Sequence, residues 1–224
     1  MAIEQVSAAE LAGQATGLAA LRDAARGCQA CALWRTGTQT VFGEGLRRAR
    51  IVMVGEQPGD REDREGHPFV GPAGGVLNEA LAEARIDRAE VYITNVVKHF
   101  RWERVGKRRI HRRPAAEHIA ACRPWLDAEL RMIRPDSLVC LGATAAQALL
   151  GSTFRVTKER GKPLTSSDLA PWVMATVHPS SILRAEDEDA RREAFHAFVA
   201  DLGVLARHLG SSPPAGRTGG GSQP

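Results

Sequence analysis

Five short stretches of this 224-residue chain gather residue types that can do chemistry. "GEQPGD" (55–60) sets Glu56, Gln57 and Asp60 among glycine and proline. "TNVVKHF" (94–100) carries the amide of Asn95 and the imidazole of His99. "VHPSS" (177–181) puts His178 beside two small hydroxyl residues, Ser180 and Ser181. "GKRRIHRRP" (106–114) packs five basic residues and His111 into nine positions. "CQAC" (28–31) spaces two thiols as CxxC. Charge alone leaves three readings open for the basic stretch: a solvated loop, a phosphate clamp, or the place where bonds are made.

The elements that must position these groups follow from the apolar pattern. Residues 8–26 read as one helix ending at Gly27. "ARIVMVG" (49–55), "EVYITNVV" (90–97), "DSLVCLG" (136–142) and "WVMATVHP" (172–179) are short, apolar, largely β-branched runs that read as buried strands. Residues 55–74 are dense in Gly, Pro and charge and read as a long loop, a length that is usually functional in a compact domain. Helices are expected over 73–84, from Pro114 to about Ile133 with a kink or restart at Pro124, over 143–150 closed by Gly151, and over 187–209. Strands alternating with helices imply an α/β fold: a three-layer α/β/α sandwich around a central, mainly parallel four-stranded sheet. Ligands of such sheets lie beyond the carboxyl ends of the strands, and three of the stretches above stand at such ends. Residues 1–209 read as a single domain. The Gly/Ser/Pro-rich tail 210–224 reads as disordered.

Formal net charge is +4, but residues 101–113 alone carry seven Arg/Lys against one Glu, +6, leaving −2 for the rest. Positive charge concentrated in one segment suits a partner bearing phosphates. No apolar run is long enough to span a membrane, and the first residues lack the pattern of a secretory signal, so a cytoplasmic location is expected. In that reducing setting CxxC points to metal or redox chemistry rather than a disulfide. Zinc and iron–sulfur both fit Cys28 and Cys31. Cys122, in "ACRPW", is a third candidate, and His99 could fill the vacancy. Cys140 sits in an apolar strand and reads as an inert buried thiol.

Taken together, "GEQPGDRED", "HPFVGPAG", "YITNVVKHF", "ACRPWL", "LGATAAQALLG" and "VHPSSILR" resemble, in order over about residues 20–208, the iron–sulfur uracil-DNA glycosylases of family 4. Three departures from the usual family 4 pattern are Gln57 in "GEQPG", His99 where a cysteine is usual, and the inserted "KRRIH". They resemble the UdgX branch, which joins covalently to DNA after removing uracil. The resemblance implies a [4Fe-4S] cluster held by Cys28, Cys31, Cys122 and His99. It also implies uracil-containing DNA, single- or double-stranded, as partner, and a monomer.

The chemistry suits the residues. A flipped pyrimidine needs an aromatic face, and Phe69 in its Pro/Gly-rich loop supplies one, although a phenylalanine is equally at home in a core. An amide can pair with both O4 and N3–H of uracil but is mispaired by cytosine. Asn95 at a strand end fits, with the ordinary turn residue as the plain alternative. His178 can steady negative charge on uracil O2 as the glycosidic bond breaks. Ser180 and Ser181 can donate to a phosphate. Glu56 and Gln57 tip the loop that wraps the base, and Asp60 is placed near the sugar. His111 is the candidate nucleophile, supported by Glu56 or Asp60. Lys107, Arg108, Arg109, Arg112 and Arg113 can neutralise phosphates, and Arg109 also anchors the loop of His111, which is flexible at Gly106 and fixed at Pro114. The reading adopted is uracil excision with covalent capture; ordinary turnover excision with His111 as a phosphate contact is the alternative, and a non-catalytic iron–sulfur DNA-binding module is disfavoured by the joint presence of Phe69, Asn95 and His178.

Overall fold

The computed structural model describes residues 7–164 and 167–211. Helices α1 (Ala8–Gln14) and α2 (Leu18–Arg26) precede strand β1 (Ile51–Gly55). Helices α3 (Asp60–Glu65) and α4 (Pro72–Glu83) lead to β2 (Val91–Asn95), then to β3 (Trp102–Val105) and β4 (Arg108–His111). Helix α5 (Ala116–Ile133), β5 (Ser137–Leu141), α6 (Ala143–Leu150), α7 (Val156–Glu159), β6 (Trp172–Thr176), α8 (Pro179–Ile182) and α9 (Glu188–Ser211) complete the chain.

β1, β2, β5 and β6 form one parallel sheet in the order β2-β1-β5-β6. All four are buried along their whole length, so they read as continuous apolar runs. Side chains alternate between two cores. Val52, Val54, Leu138 and Cys140 face Leu21 and Ala25 of α2 and Trp125 and Leu126 of α5. Ile51, Met53, Val139 and Leu141 face Leu77 and Leu81 of α4 and Phe198, Leu202 and Leu205 of α9. Each fully buried aliphatic side chain contributes about 1.5–3 kcal/mol, which fixes strand register and with it the residues that follow each strand. The chain leaves β1 toward β2 on one side and returns as β5 on the other, so a switch point opens between the ends of β1 and β5.

Four expectations are corrected. The helix over 8–26 is two helices, broken at Ala15–Gly17, where Thr16 and Gly17 are weak helix formers and Gly17 is extended at φ −174°. The loop over 55–74 contains α3, "DREDRE", whose charge hid it from a search for apolar period. α5 continues through Pro124 without a restart. The basic segment is no floppy arm: Trp102–Val105 pairs antiparallel with Arg108–His111, Glu103 facing Ile110 and Arg104 facing Arg109. Gly106 makes the hairpin turn at φ +60°, a conformation that costs glycine little. Of the tail, Gly210 and Ser211 belong to α9, and residues 212–224 lie outside the described residues.

Beneath β2 lies a charged pair with no access to solvent. Lys98 Nζ donates to Glu129 Oε2 at 2.5 Å, to Thr94 Oγ1 at 2.6 Å and to the Asn95 carbonyl at 2.9 Å. Glu129 Oε1 also accepts from the Tyr92 hydroxyl at 2.8 Å. The side chains are 1% and 0% exposed, so removing one partner strands a charge in the core. Glu129→Ala is expected to lose about 3–5 kcal/mol, seen as a melting point lower by roughly 10 °C. The double replacement Lys98→Met with Glu129→Leu should recover most of that loss. A single variant that melts with the wild type would show that the pair holds nothing in place.

Candidate active site

The carboxyl ends of β1, β2 and β6 and the β3–β4 hairpin border a cavity of about 430 Å³ lined by Gln57, Phe69, Asn95, Ile110, His111 and His178, among others. An adjoining cavity shares His111 and His178 and adds Glu56 and Thr144. The size lies within the usual range for a small-molecule site.

Asn95 ends β2 directly beside Gly55 of β1. It is 2% exposed, and its Oδ1 has no hydrogen-bond partner. A buried polar atom left unpaired is costly unless a ligand completes it. Gly55 makes the arrangement possible, because a Cβ there would meet Asn95 Oδ1 at 2.4 Å and Phe69 Cζ at 2.7 Å. Phe69 itself holds a left-handed backbone, φ 56°, uncommon for a bulky residue. Its loop is braced by Glu62, whose carboxylate accepts from the backbone N–H of Gly59 at 3.1 Å and of Gly71 at 2.8 Å. The Phe69 ring stands 5.7 Å from the His178 ring.

His178 follows β6 and caps α8. The Ser180 backbone N–H donates to His178 Nδ1 at 3.2 Å, so that nitrogen is the acceptor and the ring proton sits on Nε2. Burial lowers the His178 pKa to about 4, with Arg184 and His111 acting in the same direction. At neutral pH the ring is therefore an uncharged donor. The donors of the serines are turned inward rather than toward a phosphate. Ser180 gives its N–H to His178 and its Oγ accepts from Arg184 at 3.1 Å, while Ser181 Oγ donates to the His178 carbonyl at 2.8 Å.

His111 closes the hairpin on the wall of the same cavity. Its Nε2 lies 3.4 Å from Glu56 Oε1. Burial lowers its pKa, Glu56 opposes this and Arg184 adds to it, so the neutral ring that a nucleophile requires is favoured. The question of which carboxylate stands by His111 has a geometric answer in Glu56. Asp60 instead pairs with Arg109, and its Oδ2 accepts from Arg64 at 2.9 Å. Arg109 also donates to Asp63 Oδ2 at 2.7 Å and is 14% exposed, so it clamps the hairpin to α3 and points away from solvent. Gln57 performs a second clamp. Its Nε2 donates to the carbonyls of Arg101 at 3.2 Å and Arg112 at 3.0 Å, and its Oε1 accepts from the Arg101 N–H at 3.1 Å. Its amide therefore grips both strands of the hairpin at their base instead of wrapping a base. Arg112 pairs with Glu103, and Arg113 with Thr144 and Gln147. Arg104, Lys107 and Arg108 remain exposed toward the tip.

Cys28, Cys31 and Cys122 lie on the side of the sheet covered by α2 and α5. Cys28 and Cys122 are buried, Cys31 is partly exposed, and none is in a disulfide. The indole N–H of Trp125 donates to Cys28 Sγ at 3.2 Å, and the Lys98 backbone N–H donates to Cys122 Sγ at 3.2 Å. Such N–H donors suit sulfurs that carry negative charge. Burial pushes the Cys122 thiol up to about 12, opposed by Lys98, so a thiolate there needs a cation beside it. His99 is buried and its pKa is lowered by that burial. Its Nε2 is 3.0 Å from Thr40 Oγ1, so Nδ1 is the ring nitrogen that could hold a metal. Among the described residues no three His, Cys, Asp or Glu side chains close on a point as they would for a single ion. Cys140 lies in the core, 0% exposed, with its thiol likewise pushed up to about 12 by burial.

The residues 42–203 match the family model described as the uracil DNA glycosylase superfamily. Similar curated proteins carry the name type-4 uracil-DNA glycosylase. The one from Thermotoga maritima is 42% identical over 171 residues, 74% of this chain and 82% of that protein. Those from Sulfurisphaera tokodaii and Archaeoglobus fulgidus are each 37% identical, over 70% and 80% of this chain and 71% and 87% of theirs. No helix among the described residues is long and apolar enough to cross a membrane. A match of that extent, with relatives at that identity along seven-tenths or more of their own length, places this chain in the uracil DNA glycosylase superfamily.

Proposed function

We propose that this chain excises uracil from DNA. One observation carries the reading: a buried amide with an unpartnered oxygen, Asn95, shares a cavity with a neutral histidine, His178, whose Nε2 bears the proton. The amide matches O4 and N3–H of uracil. The histidine meets the negative charge that collects on O2 as the bond from N1 to C1′ breaks. Because His178 is uncharged at neutral pH, it stabilises that anion by a hydrogen bond without surrendering a proton. Phe69 offers its face to the flipped base, and the exposed cations of the hairpin tip, Arg104, Lys107 and Arg108, suit the DNA backbone. The relatives bearing the type-4 name favour turnover: water adds to C1′, uracil leaves, and an abasic site remains. Release of free uracil from a uracil-containing oligonucleotide, followed by alkali cleavage of the strand, tests this; intact DNA after prolonged incubation with active-site concentrations of protein would sink it.

A second reading, covalent capture in the manner of the UdgX branch, is favoured by one specific feature, the placement of a neutral His111 beside Glu56 on the cavity wall. In that case one imidazole nitrogen takes the place of water in the bond to C1′, and the proton on the ring is held toward Glu56.

For the cofactor we infer a [4Fe-4S] cluster on Cys28, Cys31, Cys122 and His99. The donors fit its chemistry, three thiols with N–H groups aimed at two of the sulfurs and a neutral imidazole. The cluster would tie the segment after α2 to the stretch after β2 and to α5. Purified protein is expected to be brown, with about four iron and four sulfide per chain, and Cys122→Ala should lose both. A colourless protein carrying zinc would overturn this assignment.

A further inference from the structure

Glu56 has two oxygens, and their surroundings differ. Oε1 faces His111 Nε2 at 3.4 Å. Oε2 accepts a short hydrogen bond from the hydroxyl of Thr144, the second residue of α6. That hydroxyl has one proton to give, and its direction is settled by a third group: Arg113 Nε donates to Thr144 Oγ1 at 3.0 Å, so the oxygen accepts from Arg113 and its proton must go to Glu56. Thr144 is 5% exposed, so water does not readily replace its hydroxyl. The chain Arg113–Thr144–Glu56–His111 begins and ends on the same hairpin segment, since Arg113 lies two residues beyond His111. It passes through Glu56, just beyond β1, and Thr144 of α6, the helix that follows β5, and so spans the switch point between β1 and β5.

We propose that Thr144 is a positioning residue that holds one oxygen of Glu56 so that the other is aimed at the group attacking C1′. The inference rests on the excision reading and serves either attacking group. For water, Oε1 accepts the proton as the oxygen–C1′ bond forms; for His111, it holds the imidazole proton as the nitrogen–C1′ bond forms. In both cases the electron pair of the broken bond leaves with uracil. Without the Thr144 hydroxyl the carboxylate is free to rotate about its terminal torsion, which is broad and has no strong preferred angle.

The test compares Thr144→Val, which keeps the shape and removes the hydroxyl, with Thr144→Ser, which keeps the hydroxyl. Thr144→Val is expected to slow the single-turnover reaction about ten- to a hundredfold, the loss of one hydrogen bond to a charged group, with binding of the oligonucleotide unchanged. Thr144→Ser should stay within about threefold of wild type. A second readout needs no turnover. The His111 ring, followed by NMR in the free protein, is faced by Glu56, Arg184 and His178. Moving the carboxylate away removes the one group that favours its protonation. His111 should then titrate lower in Thr144→Val, by about half a pH unit, and unchanged in Thr144→Ser. Equal rates and equal titration in wild type and Thr144→Val would overturn the inference, as would equal losses in both variants. Should the wild type release no uracil, the excision reading fails on its own, and the His111 titration still decides whether Thr144 aims Glu56.

Discussion

Asn95→Ala is expected to lower the rate of uracil excision by about 10²–10³, the usual cost of removing one well-placed hydrogen-bonding group from an active site, while leaving the fold and DNA binding in place. The expectation follows from how the amide is held. Its backbone continues β2 beside Gly55, its carbonyl accepts from the buried ammonium of Lys98 at 2.9 Å, and Gly55 provides the space over which Oδ1 lies. The side chain is therefore preorganised, and binding the base requires little reordering of it. Replacing it with alanine removes pairing to O4 and N3–H but leaves the Phe69 face and the His178 donor. Asn95→Asp should be as damaging, since a carboxylate accepts but cannot donate to O4. The measurement is single-turnover uracil release at saturating protein, with melting temperature and oligonucleotide affinity as controls. Release within about threefold of wild type would mean that the base is read elsewhere. Gly55→Ala, which needs no change in any polar group, should show a comparable loss, because its Cβ would displace both Asn95 and Phe69 from where they meet the base.

The sheet was legible because its strands are buried on both faces and so appear as largely apolar runs, β2 closing on Asn95 and β6 running into His178. Asn95 and His178 could be picked out for the same reason: a strand that ends at an amide, or at His-Pro, marks a rim position in a parallel sheet. What escaped was structure built from charge. The hairpin carrying His111 shows no clean alternation of apolar and polar residues, since its stability comes from the Gln57 amide and the clamp of Arg109 by Asp60 and Asp63. Those are contacts across about fifty positions of sequence, invisible to any local window. Asp60 looked like a group for the sugar because its charge was read singly, whereas it pairs with Arg109, the anchor of the His111 hairpin. Glu62, Thr144 and the Lys98–Glu129 pair escaped for a related reason, as their residue types are ordinary and only their partners make them notable. Long-range pairing of charges thus determines which cations of the basic segment are left for DNA, namely those near the tip.

The sharpest experiment concerns His111. Wild-type protein incubated with a uracil-containing single-stranded oligonucleotide and run on a denaturing gel separates the two readings in one lane. Under turnover the oligonucleotide migrates alone and is cut by alkali at the abasic site. Under capture a slower band survives detergent and heat, because the new bond from imidazole nitrogen to C1′ lacks a good leaving group. The geometry sets what the variants should do. His111 faces Glu56 at 3.4 Å and its neutral form is favoured by burial and by Arg184, so capture needs positioning rather than a strong base. His111→Ser should abolish the slow band while uracil release continues, since Asn95, Phe69 and His178 are untouched and water can reach the vacated space. Arg109→Ala should reduce the band more than it reduces uracil release, because freeing the hairpin from α3 disorders His111 but not the strand ends. A band that persists in His111→Ser would assign the bond to another residue, and absence of any band in wild type, with alkali-labile product present, would leave His111 as a wall of the cavity and turnover as the complete account of the reaction.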